Sequence, residues 1–340
     1  MKNYTKAYYI LGCAFIALFI GNLVYGAVNI PLKDVVSILT GKGSERAAWE
    51  MIILNSRMPQ CITALLAGAG LAISGLLLQT LFRNPLAGPS ILGISDGANL
   101  GVAVVMMYSG GVLGGVTGGA YFSMIAAALT GSIAVLAIII YFSRKVKSNV
   151  MLLIIGIMMG YLASSAISIL NYHAAADKVH QFVMWGMGDF TGVSTEKLPY
   201  FTFFTTAGLI FSLLLIKPLN ALLLGEMYAA NLGVNVKSAR ISILLCTGIL
   251  TASITAFCGP VSFIGLAVPH VARMLLGTSN HKHLVPVTIL SGSCIAMLCN
   301  MLTVIPGSNS MLPLNAVTPV IGAPIIIYVI VNRKNLQYFN

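Results

Sequence analysis

The sequence predicts an all-α protein, a polytopic bundle of ten transmembrane helices that forms a single domain over residues 1–340. Three observations support this prediction. Hydrophobic residues make up 58% of the 340 residues and charged residues only 8%, whereas soluble domains carry about 25% charged residues. The charges lie in short clusters between long uncharged stretches. Lys and Arg also concentrate in alternate loops, as they do in membrane proteins of fixed orientation.

Ten apolar segments account for the predicted helices. Eight of them approach or reach the roughly 17–25 residues that cross a hydrocarbon layer. These eight are 7–28, 60–82, 121–142, 150–171, 200–216, 241–257, 285–304 and 316–331. Two shorter segments, 91–108 and 261–276, each follow a break rich in Pro and Gly. They stand third and eighth, at equivalent places in two halves of five, which is typical of inverted repeats. Alternatively, two short helices simply pack in the bundle interior.

The loops predict the orientation. With the N-terminus inside, thirteen of the 19 Lys and Arg residues fall on the inner side and six on the outer side. Ten crossings then place both termini in the cytoplasm. The net charge of +11 has this origin, because no basic run longer than residues 144–147 is present to follow phosphates. We therefore expect a lipid bilayer around the chain and no nucleic-acid partner.

Two further patterns describe how the bundle is built. Residues 31–57 mix apolar and charged side chains, which predicts an amphipathic segment at the outer surface. Small residues recur at helical spacing, as in Gly68/Ala72 and Gly97/Gly101, and this lets helix backbones approach closely in lipid. The six cysteines lie in or beside apolar segments without metal-site spacing, so we interpret them as core residues.

The sequence offers few groups for chemistry. No nucleophile with a base and no metal-ligand cluster is visible, so no catalytic residue, metal site or cofactor is predicted. His281 and His283 fit a solvated inner loop better than a metal site. Ionisable residues within the segments are limited to Asp96, His270 and Arg273. Because ion-coupled carriers bind their coupling ion at such groups, we expect the energy for transport to come from another chain.

The inner loop 217–236 is longer than the others. Its apolar positions repeat every three to four residues, which predicts short amphipathic helices with breaks at Gly225 and Gly233. Such helices either lie on the membrane surface or dock a cytoplasmic partner. The periodicity leaves both interpretations open.

Short motifs between residues 57 and 324 are the most specific feature of the sequence. They are Arg57-Met58-Pro59, residues 67–75, Gln79, residues 84–87, residues 92–98, residues 185–188, residues 224–226, residues 232–234, residues 263–266, Pro269-His270, Arg273 and residues 322–324. In this order they resemble the FecCD family, the BtuC-like permeases of ATP-binding-cassette (ABC) importers for iron-siderophores, haem and cobalamin.

The resemblance implies partners and site residues. It implies a second permease copy, two cytoplasmic ABC ATPase subunits, an extracytoplasmic substrate-binding protein, and a location in the cytoplasmic (inner) membrane of a bacterium. The residues it implies for ATPase coupling are Leu224, Gly225, Glu226, Ala229, Leu232 and Gly233. Those implied for the cytoplasmic gate are Asn84, Pro85, Leu86 and Asn149. Arg57 is the position implied for docking of the binding protein.

The sequence also departs from the family pattern. Gln60 stands where relatives carry Arg, Asn300 and Val304 stand where they carry Asp and Arg, and Asn315 replaces a usual Gly. The sequence therefore leaves open whether the binding protein docks by paired salt bridges. It also leaves open which chelate is carried and whether the permease forms a homodimer or a heterodimer. The alternatives are an ion-coupled secondary transporter, a membrane enzyme, and a zinc/manganese ABC permease, which the lack of a His/Asp cluster disfavours.

Overall fold

A computed structural model describes residues 2–44, 46–108, 119–146, 148–305 and 311–331. Within these ranges the chain is helical, and its extended pairing is limited to one isolated bridge between Val304 and Met311. The helices are α1 (Lys2–Val24), α2 (Leu32–Leu39), α3 (Ala47–Ile52), α4 (Met58–Phe82), α5 (Ile94–Tyr108), α6 (Gly119–Lys145), α7 (Asn149–His173), α8 (Ala176–Gly186), α9 (Leu198–Leu214), α10 (Ile216–Leu223), α11 (Glu226–Asn231), α12 (Val236–Cys258), α13 (Ile264–Leu276), α14 (His281–Thr303) and α15 (Leu314–Val331).

Ten of these helices correspond, in order, to the ten predicted segments. Six of the described helices are long and apolar enough to cross a membrane by themselves, namely α1, α6, α7, α12, α14 and the continuous helix 47–82 that contains α4. Helix α9 passes the same test together with α10, from which it is bent by 52°. The remaining three, α5, α13 and α15, are shorter apolar helices. The prediction of an all-α membrane bundle is confirmed.

Helix α4 lies at the centre of the bundle. In its most apolar window 89% of the residues are buried, against 22% in α1 and in α7. It packs against α9, α12, α13 and α14. The outer helices instead present exposed apolar side chains, such as Tyr161 and Leu162 of α7 and Val320 of α15. Such surfaces are stable only in lipid or against another apolar chain.

Small residues bring the helices together as their spacing predicts. Gly68 of α4 lies against Gly292 of α14, so that a Cβ added to either would fall within 2.5 Å of the other's carbonyl oxygen. Gly97 of α5 and Gly131 of α6 form a second reciprocal contact of this kind. Since lipid provides no hydrophobic force between helices, this close backbone packing is a main source of their association.

The outer segment 31–57 folds in two parts. Helix α2 buries Val35 and Ile38 against Leu23, Ile30 and Ile53, so its apolar face is covered by the bundle itself. Residues 47–57 differ from the expectation of a separate surface segment, because they continue into α4 as one helix through a π turn at Ile53–Arg57. The π turn ends two residues before Pro59, which has no N–H to donate to the preceding turn.

The two short segments follow irregular backbone, at the breaks predicted from Pro and Gly. A 3₁₀ turn at Pro89–Leu92 and Gly93 in the left-handed region precede α5. Phe263, also left-handed at a φ of 66°, precedes α13. Asn315 fixes this second break, since it accepts a hydrogen bond from the Ser262 N–H at 3.0 Å and donates to the Pro260 carbonyl at 2.7 Å. The inverted repeat stays a prediction.

Candidate coupling and gate site

The predicted coupling segment 217–236 consists of two short helices with breaks at the expected glycines. Gly225 adopts a φ of 107° between α10 and α11, and Gly233 adopts a φ of 83° after α11. Both values favour glycine because other residues are strained there. Ala229, midway along α11, is fully buried. The segment is thereby held against the bundle along one side.

The other side of the same segment is an exposed apolar surface. We call the coupling patch the four side chains Leu224, Met227, Tyr228 and Leu232, of which 57%, 82%, 66% and 65% are exposed. An apolar cluster of this size on a short extramembrane helix is typical of an interaction surface. Arg83 at the end of α4, Lys217 in α10 and Lys237 in α12 are exposed cations.

Glu226, the first residue of α11, connects the coupling segment to a predicted gate residue. Its Oε1 accepts a hydrogen bond from Asn149 Nδ2 at 2.9 Å. The same Asn149 amide donates to the Leu81 carbonyl, in the last turn of α4, also at 2.9 Å. One side chain at the start of α7 therefore joins α11 to α4.

Glu226 also forms an ion pair with Arg240 of α12. The Arg240 Nη2 lies 2.8 Å from Glu226 Oε1, and the two side chains are 7% and 38% exposed. Arg240 Nη1 donates to the carbonyls of Ser143 and Val146, at the end of α6, at 3.2 Å each. A cation at a helix C-terminus is stabilised by the free carbonyls there. Sequence reasoning did not single out Arg240, whose role depends on contacts 94 to 97 residues away.

The predicted gate turn follows directly after α4. Arg83 ends the helix in the left-handed conformation, at a φ of 48°. The Asn84 side-chain oxygen then accepts the Leu86 N–H at 2.9 Å, and the Pro85 carbonyl lies 2.8 Å from His270 Nε2 of α13. Asn84, Pro85 and Leu86 are thus attached to α4 and α13, while Asn149 contacts the last turn of α4 from the side of α7. Their role as a gate stays a prediction.

The ionisable residue Arg273 of α13 forms a hydrogen bond that joins α13 to α4. Arg273 Nη1 donates to Gln79 Oε1 at 2.6 Å, and Gln79 Nε2 donates to the Leu266 carbonyl at 3.1 Å. Both side chains are buried between α4 and α13. Buried polar groups in lipid require partners. The contact with Gln79 therefore explains why a charged residue is tolerated at Arg273, and no role in ion coupling is needed to account for it.

His281 lies elsewhere than the sequence suggested. The interpretation of a solvated loop is wrong, because His281 begins α14 and is fully buried. Its Nδ1 lies 3.0 Å from Asn220 Oδ1 of α10, and its Nε2 lies 2.9 Å from Thr80 Oγ1 of α4. The coupling segment covers this end of α14, a placement that no local sequence pattern reveals.

Arg57, the predicted docking residue on the predicted outer side, is 7% exposed. Its guanidinium donates to the carbonyls of Leu23 and Val24 at 2.7 and 2.8 Å and also to that of Val28. It therefore caps the end of α1. Docking at Arg57 stays a prediction, and a partner that recruits this side chain has to compete with the α1 carbonyls.

The two departures from the family pattern at Gln60 and Asn300 meet in space. Gln60 Nε2 donates to Asn300 Oδ1 at 2.9 Å, and Asn300 Nδ2 donates to Asn22 Oδ1 at 2.7 Å. Asn22 in turn donates to the Met297 carbonyl at 3.1 Å. A neutral chain of amides thus joins α1, α4 and α14 at positions where the resemblance implies opposite charges.

Comparison with known proteins agrees with this architecture. Residues 14–332 match the FecCD transport family. The chain belongs to the FecCD transport family. The matched residues include every predicted coupling, gate and docking position. Among curated FecCD-type relatives, the chain is similar to the hemin transport system permease protein HmuU of Yersinia pestis, with 33% identity over 94% of this chain and 93% of the relative.

Other relatives support the same assignment. The vitamin B12 import system permease protein BtuC of Klebsiella pneumoniae is 32% identical over 85% of both chains. A solved inward-facing structure of a metal-chelate type ABC transporter superposes with a TM-score of 0.82 at 29% identity, over 97% of this chain and 99% of that one. PsaBC from Streptococcus pneumoniae gives a TM-score of 0.51 at 15% identity, a likeness that shows the fold alone.

Proposed function

We propose that this FecCD-family chain is the membrane-spanning subunit of an ABC importer that carries an iron-siderophore, haem or cobalamin-type chelate into the cytoplasm. Separate ATPase subunits supply the energy, and a binding protein delivers the cargo from outside. The hemin and vitamin B12 permeases among its relatives support this substrate class. The observation that carries the proposal is the hydrogen bond between Glu226 of the coupling segment and Asn149 of the predicted gate.

The coupling patch is the proposed ATPase-binding surface. Burial of four exposed apolar side chains supplies the affinity, since each large side chain contributes about 1.5–3 kcal/mol when removed from water. Docking here moves α11, and Glu226 transmits that movement through Asn149 and Arg240 to the ends of α4, α6 and α7. With the predicted orientation, Glu226 is the sole acidic residue of the inner side. The exposed cations Arg83, Lys217 and Lys237 therefore favour an ATPase groove with acidic edges.

We further propose an assembly of two permease copies and two ATPase subunits, with both termini of the permease in the cytoplasm. The exposed apolar faces of α7 and α15 support a contact with lipid or a second copy. The excess of Lys and Arg on the inner side supports the orientation.

Uptake by the reconstituted importer tests the proposed function. Vesicles that hold the permease with its ATPase should accumulate a haem, corrinoid or ferric-siderophore cargo presented by the binding protein, and only while ATP is hydrolysed. The control vesicles contain the permease alone and receive an imposed proton or sodium gradient. Accumulation in those control vesicles, driven by the gradient, would contradict the proposal and favour a secondary transporter.

Substitution in the coupling patch tests the docking surface. Met227→Asp should reduce retention of the ATPase on the purified permease by about tenfold or more, because a charge replaces an apolar contact worth about 1.5–3 kcal/mol. The matched control is Met51→Asp in α3, on the predicted outer side, where the same change affects a side chain that is 65% exposed. Equal retention by both variants would show that the ATPase binds elsewhere.

A further inference from the structure

A second attachment of the coupling segment lies on α10, separate from the Glu226 contacts. Asn220 Oδ1 accepts the backbone N–H of His281 at 2.8 Å and faces the ring Nδ1 of the same residue at 3.0 Å. The Asn220 amide nitrogen donates to Asn280 Oδ1 at 3.1 Å, and Asn280 is the N-cap of α14. One side chain of α10 thus contacts the first turn of α14 at three points.

The His281 ring extends this attachment to α4. Its Nε2 lies 2.9 Å from the hydroxyl of Thr80, which is 1% exposed and also lies 2.9 Å from the Leu76 carbonyl. Because Asn220 Oδ1 is an acceptor, the ring carries its proton on Nδ1, and Nε2 is an acceptor that shares the single Thr80 hydroxyl proton with the Leu76 carbonyl. Both nitrogens of the neutral ring therefore have a polar partner, one on α10 and one on α4.

The position of Thr80 makes the attachment relevant to the gate. Thr80 lies in the last turn of α4, three residues before Arg83, where the helix ends and the predicted gate turn begins. Across this junction, a Cβ added to Gly225 would come within 3.8 Å of Arg83 Nη1. The coupling segment therefore reaches the end of α4 by two routes, Glu226 with Asn149 on one side and Asn220 with His281 on the other.

We propose that Asn220, His281 and Thr80 form a clasp that makes α10 and the end of α4 move together when the ATPases act on the coupling segment. The three are positioning residues, and their role rests on the proposed importer function. The clasp is suited to transmission because its bonds lie in a buried environment, where hydrogen bonds are strong and a broken one leaves unpaired polar atoms. Without the clasp, α10 could rotate while the gate turn at the end of α4 stayed in place.

The test compares two substitutions of Thr80 in the complete importer with its ATPase and binding protein. Thr80→Val keeps the shape and removes the hydroxyl, whereas Thr80→Ser keeps the hydroxyl. The measured quantity is cargo transported per ATP hydrolysed. We expect Thr80→Val to lower this ratio about fivefold, the effect of one buried hydrogen bond of about 1 kcal/mol, and Thr80→Ser to remain within about twofold of wild type.

A second variant and the wild-type complex make the outcome unambiguous. Asn220→Leu, in the half-buried α10 position, should lower the same ratio if Thr80→Val fails to assemble. A parallel fall of assembly, ATP hydrolysis and uptake in every variant would show a purely structural contact and overturn the clasp, and so would an unchanged ratio. Absence of ATP-dependent uptake in the wild-type complex would overturn the importer function instead, so the two failures are distinguishable.

Discussion

Glu226→Lys is expected to reduce ATP-driven uptake by about tenfold or more while ATP hydrolysis by the assembled complex continues. The substitution places a second cation beside Arg240, whose guanidinium now lies 2.8 Å from the Glu226 carboxylate. Breaking a buried pair costs about 3–5 kcal/mol and an exposed pair about 1 kcal/mol or less. Since Arg240 is 7% exposed and Glu226 38%, the cost falls between these limits. Uptake and hydrolysis are measured side by side in reconstituted vesicles.

The matched control for this substitution is Glu226→Gln. The amide keeps a carbonyl oxygen in place for the N–H groups of Asn149 and Arg240, so we expect uptake within about threefold of wild type. Normal uptake by Glu226→Lys would remove Glu226 from the coupling path. Loss of hydrolysis together with uptake would instead indicate that the ATPase no longer docks.

The charge-swapped double variant gives a further distinction. Exchanging the two residues, Glu226→Arg with Arg240→Glu, preserves the ion pair but places a carboxylate against the carbonyls of Ser143 and Val146, which now accept from Arg240. We therefore expect no recovery of uptake. Recovery would show that the ion pair matters by itself and that the end of α6 takes no part.

The elements of the bundle were predictable because lipid imposes strong local rules. Each long apolar segment was expected to become a helix, since in hydrocarbon a helix satisfies its backbone groups within the segment itself. The breaks before α5 and α13 and the two breaks in the coupling segment were visible as Pro or Gly, residues whose backbone requirements are local. Helix α8 was not predicted, because a helix of 11 residues between two spanning segments carries no such constraint.

The pairings within the site were beyond local sequence reasoning. Glu226 was expected only as a residue of ATPase coupling, and nothing in the sequence indicated that its carboxylate accepts hydrogen bonds from Asn149 and Arg240. His281 lies beside Lys282 in a polar stretch, which suggested solvent, but α10 covers it from 61 residues away. Gln60 and Asn300 were each visible as departures from the family pattern, and their mutual hydrogen bond spans 240 residues. Such contacts depend on how helices are arranged, which periodicity does not encode.

Helix packing at the centre of the bundle has its tightest point at Gly75. A Cβ built on Gly75 of α4 would lie 1.6 Å from the carbonyl oxygen of Gly265, near the start of α13. The obstacle is backbone rather than a flexible side chain, so no rotamer change relieves it. From the other side, a Cβ on Gly265 would meet the Leu71 carbonyl at 2.8 Å. Both positions are motif residues, and the contact gives the motif a steric reason.

Gly75→Ala should therefore destabilise the permease by about 3 kcal/mol or more, because α13 has to move away from α4 and overpacking of this kind leaves few ways to relax. The thermal midpoint of the purified protein should fall by about 6–12 °C. The matched control is Gly12→Ala in α1, where an added Cβ meets nothing within 4 Å. This substitution should leave the thermal midpoint unchanged or raise it slightly, since alanine favours helix. If Gly75→Ala melts with the control, α4 and α13 are not in close contact through these two glycines.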